Sequence, residues 1–233
     1  MTRPSNTDWF LFIGILLCCD FASKILAFLF LASNVSVQMD SLFQFALRVN
    51  RDGFGSKLHE TSLSEQAPIF IRTALAYLGL SAAILATKSW RPGRRILLCG
   101  ATFGLIFFAG TLFDGAFHSL DIRTAGIFVR GSTSLFWFSI FISVSSIAWK
   151  LSASLLLVHQ LGNFLSFLYP PFGIIDFIYS SPFWRTFHLG IFNFADLYGL
   201  LGKACLIVAV AASVFAFVVR KRGRHSENTY SDN

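Results

Sequence analysis

At 233 residues, 55% hydrophobic and only 13% charged, the chain carries about half the charge of a typical soluble domain. With a mean hydropathy of +0.63, that composition excludes an ordinary water-soluble enzyme, and the length suits one helical membrane domain with no second globular unit. The net charge of +7 does not indicate nucleic acid, because the basic residues form no face interleaved with exposed aromatics.

The first predicted span covers residues 9–32. As a helix its 24 residues reach about 36 Å, enough to cross a bilayer with some tilt. It is too long for a cleavable signal peptide, contains Asp20 and Lys24, and is followed by no small-residue cleavage site. A mixed-charge external segment follows over residues 33–67, and apolar alternation over 41–50 fits strands. The second span, 68–86, ends at a basic turn containing Lys88, Arg91, Arg94 and Arg95. The third occupies 96–117, and residues 119–132 form a mixed connection. Apolar character then runs over 133–168, too long for one crossing. The Trp149-Lys150 break divides it into two short spans. The last span, 191–219, closes on Arg220, Lys221, Arg222 and Arg224.

The expected fold is therefore an all-α polytopic membrane protein of about six transmembrane helices with a small external segment able to form strands. Residues 1–219 make one membrane-embedded domain, and 220–233 a polar, disordered cytoplasmic tail. Both basic clusters and both termini fall inside under the positive-inside rule. The segments at 33–67, 118–132 and 169–190 fall outside.

Cys18, Cys19, Cys99 and Cys205 lie in apolar runs without metal-ligand spacing, as small buried hydrophobes. His118, His159 and His188 are scattered and show no metal spacing. Gly100, Gly104, Gly110, Gly199 and Gly202 suit close helix packing.

The acids carry more information, because a carboxylate near hydrocarbon is costly and usually marks function. Asp20 and Lys24, at i and i+4, share a helix face and suit either a structural ion pair or the orientation of another carboxylate. Asn193 and Asp196, at i and i+3, read most simply as an N-cap followed by a first-turn acid. Asp176 lies among Ile174, Ile175, Phe177 and Ile178, apolar neighbours that tend to raise its pKa. If Asp176 and Asp196 meet, one can hold a proton while the other activates water.

These motifs resemble signal peptidase II, the lipoprotein signal peptidase. Asp20-Phe21-Ala22-Ser23-Lys24 is similar to that family's Asp-x-x-(Ser/Thr)-Lys motif, and Asn50 stands thirty residues later, as the family's external asparagine does. Leu161-Gly162-Asn163, Gly173-Ile174-Ile175-Asp176-Phe177-Ile178 and Phe192-Asn193-Phe194-Ala195-Asp196 follow in the family's order and spacing. The resemblance covers residues 9–90 and about 150–219. It implies a four-helix peptidase core interrupted by an inserted helical pair at about 96–149.

The same resemblance implies a membrane aspartic endopeptidase that cleaves diacylglyceryl-modified prolipoproteins before the lipidated cysteine. Asp176 and Asp196 would be the catalytic dyad. Asp20, Lys24, Asn50, Asn163 and Asn193 would position peptide and dyad, and residues 33–67 would cover the bound lipopeptide. No metal or cofactor is called for. The expected setting is a bacterial cytoplasmic (inner) membrane, with the site toward the periplasmic face, membrane lipids around it and the chain acting as a monomer. One departure bears on this. Ser166 and Phe167 stand where the family carries an Asp-Arg pair; this, with the inserted spans, favours the alternative of a non-catalytic relative or polytopic membrane protein that holds a lipidated peptide or lipid. A proton-coupled transporter ranks third.

Overall fold

The computed structural model describes residues 4–31, 42–50, 122–169, 171, 173–187 and 190–230, together with Thr102. The predicted second span, the basic turn after it and nearly all of the third lie outside the described residues, as do Cys99, His118 and His188. Those described are mostly helical. In chain order they form α1 (Asn6–Phe30), β1 (Gln44–Asn50), α2 (Ile122–Ser143), α3 (Ile147–Leu165), β2 (Ile174–Tyr179), α4 (Ser181–Phe187), β3 (Ile191–Phe192) and α5 (Phe194–Tyr230).

Helix α1 starts at a capping box. The Asp8 N–H donates to Ser5 Oγ at 3.2 Å, and the Ser5 N–H donates to Asp8 Oδ2 at 2.7 Å, so orphan donors at the helix head are satisfied reciprocally. It and the Phe194–Val219 stretch of α5 are the two helices, among the described residues, long and apolar enough to cross a membrane. Both expose many large apolar side chains, Leu11, Leu29, Phe30, Ile207, Phe215 and Phe217 among them. A surface of that kind suits lipid rather than water. Cys18 and Cys19 lie exposed and Cys205 is half-buried, contrary to the buried placement expected, because they face away from the helices that α1 and α5 pack against.

The long apolar run does break, at residues 144–146, three residues before Trp149. Trp149 and Lys150 instead occupy the first turn of α3. Helix α2 begins at Ile122, so much of the expected connection is helical. One polar residue of that expected connection, Arg130, is turned toward α3, where its Nη1 donates to Gln160 Oε1 at 3.0 Å, as does Thr133 Oγ1 just beyond the connection. At its other end the chain also departs from expectation, since α5 continues as helix to Tyr230 through a stretch that contains no proline.

Helices α3 and α5 pack closely through small residues. A Cβ on Gly202 would stand 2.8 Å from Leu156 Cγ, and one on Gly199 would stand 2.8 Å from His159 Cγ. Ser152 Oγ also donates to the Gly202 carbonyl at 2.9 Å. One core gathers Trp9, Ile13, Phe136, Trp137, Ile140 and Leu156 around the start of α1 and the α2–α3 pair. A second joins Ala27 to Ile175, Phe177, Ile178 and Phe192 beneath the strands.

The strands form one antiparallel sheet, ordered β1-β2-β3. Alternation had suggested β1. All six residues of β2 are buried, which erases the period-two pattern that marks a half-exposed strand. Between Phe45↔Ile178 and Arg48↔Asp176 the register shifts. Strand β1 advances three residues while β2 advances two, which is a β-bulge. Arg48, not Leu47, therefore stands opposite Asp176.

Candidate functional site

The site assembles where the later part of α1, the end of α3, the head of α5 and strand β2 meet. The opposite end of the bundle is tied by Lys150 Nζ donating to Asn6 Oδ1 at 2.6 Å and Trp149 Nε1 donating to Ser213 Oγ at 2.9 Å. About 24 residues of α5 separate Asp196 from the basic cluster at 220–224, or about 36 Å of helix.

Asp20 and Lys24 are both buried to within 1%. Neither charge is left alone: Lys24 Nζ donates to Asp20 Oδ2 at 2.7 Å, to the Gly162 carbonyl at 3.0 Å and to Asn163 Oδ1 at 3.2 Å. The second oxygen of Asp20 accepts from the Ala195 N–H at 2.9 Å. The pair thus joins α1, α3 and α5. Glycine is required at 162, since a Cβ there would lie 2.6 Å from Asp20 Oδ2 and 3.2 Å from Ala195 Cβ.

Asn193 does two tasks. It caps α5, with its Oδ1 accepting from the Asp196 N–H at 3.1 Å while its own N–H donates to Asp196 Oδ2 at 3.3 Å. Its Nδ2 then donates to Asp176 Oδ1 at 2.7 Å and to Asn163 Oδ1 at 3.2 Å. Asn163 Nδ2 donates in turn to Asp196 Oδ1 at 3.1 Å. Both carboxylates are therefore hydrogen-bonded to one residue, and Lys24, Asn163 and Asp196 form a continuous chain.

The two acids differ in setting. Asp176 is 6% exposed, and the Asp196 side chain 22%. Burial pushes the Asp176 carboxyl well above the usual carboxylate range, and the nearby Asp196 charge pushes it further. The Asn193 hydrogen bond, Lys24 and Arg48 oppose the rise. A carboxyl that holds its proton beside a more exposed carboxylate is an arrangement suited to acid/base chemistry.

Asn50 ends β1 opposite Ile174, on the same face of the strand pair as Arg48 and Asp176. Phe167 is fully buried, and buried Ser166 closes α3 by donating its hydroxyl to the Gly162 carbonyl at 3.0 Å and accepting from the Gly173 N–H at 3.1 Å. Among the described residues no group of three or more His, Cys, Asp or Glu gathers as a metal site.

Sequence reasoning missed three residues near the acids. Arg48 is concealed by the bulge. His159 contacts the head of α5, with Nδ1 2.9 Å from the Ala195 carbonyl and 3.6 Å from Asp196 Oδ1; its i, i+4 spacing to Asn163 was the available signal. Arg130 reaches His159 from α2, with Nη1 3.4 Å from Nε2. No protein-family model matches the chain, and no curated protein matches it either.

Proposed function

We propose that this chain is a membrane aspartic endopeptidase. The particular reading is a signal peptidase II activity, removing the signal peptide of diacylglyceryl-modified prolipoproteins just before the lipidated cysteine. The observation that carries it is the sharing of Asn193 by Asp176 and Asp196, two acids from separate elements. Motif order and spacing support the same reading.

In this mechanism Asp196, the more exposed carboxylate, takes a proton from water as the water oxygen attacks the scissile carbonyl carbon. Asp176 gives its proton to the carbonyl oxygen, yielding a neutral gem-diol. On collapse the C–N bond breaks, Asp196 returns a proton to the departing amine and Asp176 regains one from a hydroxyl. The pair begins and ends the cycle sharing a single proton. Asn163, held by Lys24, and Asn193 keep the two acids in register. The site faces the outer side of a bacterial inner membrane, with the basic cluster at 220–224 inside.

A second reading, a non-catalytic protein that holds lipidated peptides, is favoured by one observation. Buried Phe167 occupies the place where the resemblance expects an arginine beside the substrate. The deciding experiment follows the mobility of a labelled lipidated prolipoprotein in membranes containing wild type, Asp176→Asn or Asp196→Asn. The peptidase reading expects cleavage by wild type alone. Binding without cleavage by wild type would establish the second reading, and wild-type rates in either variant would remove the dyad.

A further inference from the structure

His159 sits one helical turn before Asn163, its ring held against Gly199 of α5. Its two nitrogens meet partners of opposite kind. Nδ1 lies 2.9 Å from the Ala195 carbonyl, which only accepts, and Nε2 lies 3.4 Å from Arg130 Nη1, which only donates. One form satisfies both: the neutral ring with its hydrogen on Nδ1. A protonated ring would turn an N–H toward the Arg130 N–H.

Arg130 is itself fixed, donating from Nη1 to Gln160 Oε1, which also accepts from Thr133. The charged groups around the ring are Arg130 from α2 and Asp196 and Lys203 from α5. On its other side Asp196 meets Asn163 of α3, its own cap Asn193, and Asp176 of β2.

We propose that Arg130 and His159 form a positioning pair for Asp196, in which Arg130 keeps His159 in the neutral Nδ1–H form and His159 anchors the first turn of α5. This rests on reading Asp196 as the base of the peptidase. It gives a purpose to α2, which falls within the segment that interrupts the family-like core: the helix supplies a cation that reaches the site through a histidine.

The test uses the full-length protein and reads two quantities against pH: kcat/KM on a lipidated prolipoprotein, and carbodiimide labelling of Asp196 measured by mass spectrometry. Labelling reports proton occupancy and needs no cleavage. In Arg130→Gln one of the influences that keep the ring neutral is removed, burial being the larger, so the ring should protonate at higher pH than in wild type, and its cation 3.6 Å from Asp196 Oδ1 should move both the acid limb and the labelling midpoint to lower pH. The shift should vanish in Arg130→Gln/His159→Asn, because Asn cannot protonate. His159→Leu should lower kcat by about 10- to 100-fold with KM little changed. His159→Asn, which can still present an N–H to the Ala195 carbonyl, should recover much of that loss.

An unmoved midpoint in Arg130→Gln overturns the proposal, as does the same shift with and without His159. Equal losses in the Leu and Asn variants overturn the anchoring role. Should Arg130→Gln fail to fold, Arg130→Met gives the same comparison. A wild type that never cleaves removes the peptidase reading, while the labelling midpoints still decide whether the pair acts on Asp196.

Discussion

Asn193 donates its side-chain amide to Asp176 at 2.7 Å, so the residue that caps α5 also holds the buried acid of β2. Because Asn193 closes a reciprocal box with Asp196 as well, helix capping and acid pairing depend on one side chain. The two tasks can be separated. Serine caps helices about as well as asparagine, whereas alanine costs about 1 kcal/mol. Asn193→Ser should therefore keep the cap, lose only the stability that the amide gives to buried Asp176 and Asn163, and lose most cleavage activity, whereas Asn193→Ala should lose the cap as well and melt lowest. If the serine variant cleaves at the wild-type rate, the amide contact to Asp176 is dispensable.

Asp176→Asn should abolish cleavage, by about 10³-fold or more, and also stabilise the fold at neutral pH. The folded-state pKa of Asp176 is raised from the ordinary 3.8, so the native chain binds this proton more tightly than the unfolded chain does. That contribution to stability is complete below about pH 4 and is lost as pH rises through the raised folded value. Asparagine still accepts from Asn193 but carries no charge to bury. Thermal melts of the two proteins should coincide near pH 4 and separate as pH rises, with the variant melting higher. A variant melting lower at neutral pH would contradict this.

Lys24→Met should be among the most destabilising single changes in the described residues. It removes three hydrogen bonds and leaves the Asp20 carboxylate buried without its cation, a loss of about 3–5 kcal/mol. Asp20→Asn/Lys24→Met should regain part of this, because no charge is then stranded. Unfolding in detergent by graded denaturant would give the order wild type, double variant, Lys24→Met. A double variant no more stable than the single would mean that the bonds to α3, not the charge, dominate.

The parts of the site that were legible in the sequence obey local rules. Spacing of i and i+4 put Asp20 and Lys24 on one face, and Asn193-Phe194-Ala195-Asp196 read as a helix start. The plain reading of that start and the functional one proved compatible, since the cap itself binds both acids. What was illegible depended on burial or on distant partners. Strand β2 is buried on both faces and shows no alternation. Arg130 looked like a loop residue because its partners, Gln160 and His159, lie thirty residues away on α3. Arg48 was hidden because a bulge, invisible to composition, moves it one place along β1.

That bulge supports the last prediction. In an unbroken register Leu47 would oppose Asp176, and the extra residue in β1 brings Arg48 there instead. The Arg48 side chain is exposed, so its effect on the carboxyl is screened and smaller than that of the Asn193 hydrogen bond. Its sign is nonetheless fixed: a cation lowers the pKa of a neighbouring carboxyl, and Arg48 acts on Asp176 in that direction. Arg48→Gln should therefore raise the Asp176 pKa further. With Asp176 acting as the proton donor, activity is lost when that proton leaves, so the alkaline limb of kcat/KM should move to higher pH. Deleting Leu47, which removes the extra residue while keeping Arg48, would leave Arg48 opposite Asp176 in a regular register and should leave the limb near its wild-type position. Deleting Arg48 itself should move it upward as Arg48→Gln does. The measurement is the alkaline limb on a lipidated prolipoprotein at low and high salt, and the Arg48 effect should shrink as salt rises. A limb that moves to lower pH in Arg48→Gln would show that Asp176 is not the proton donor.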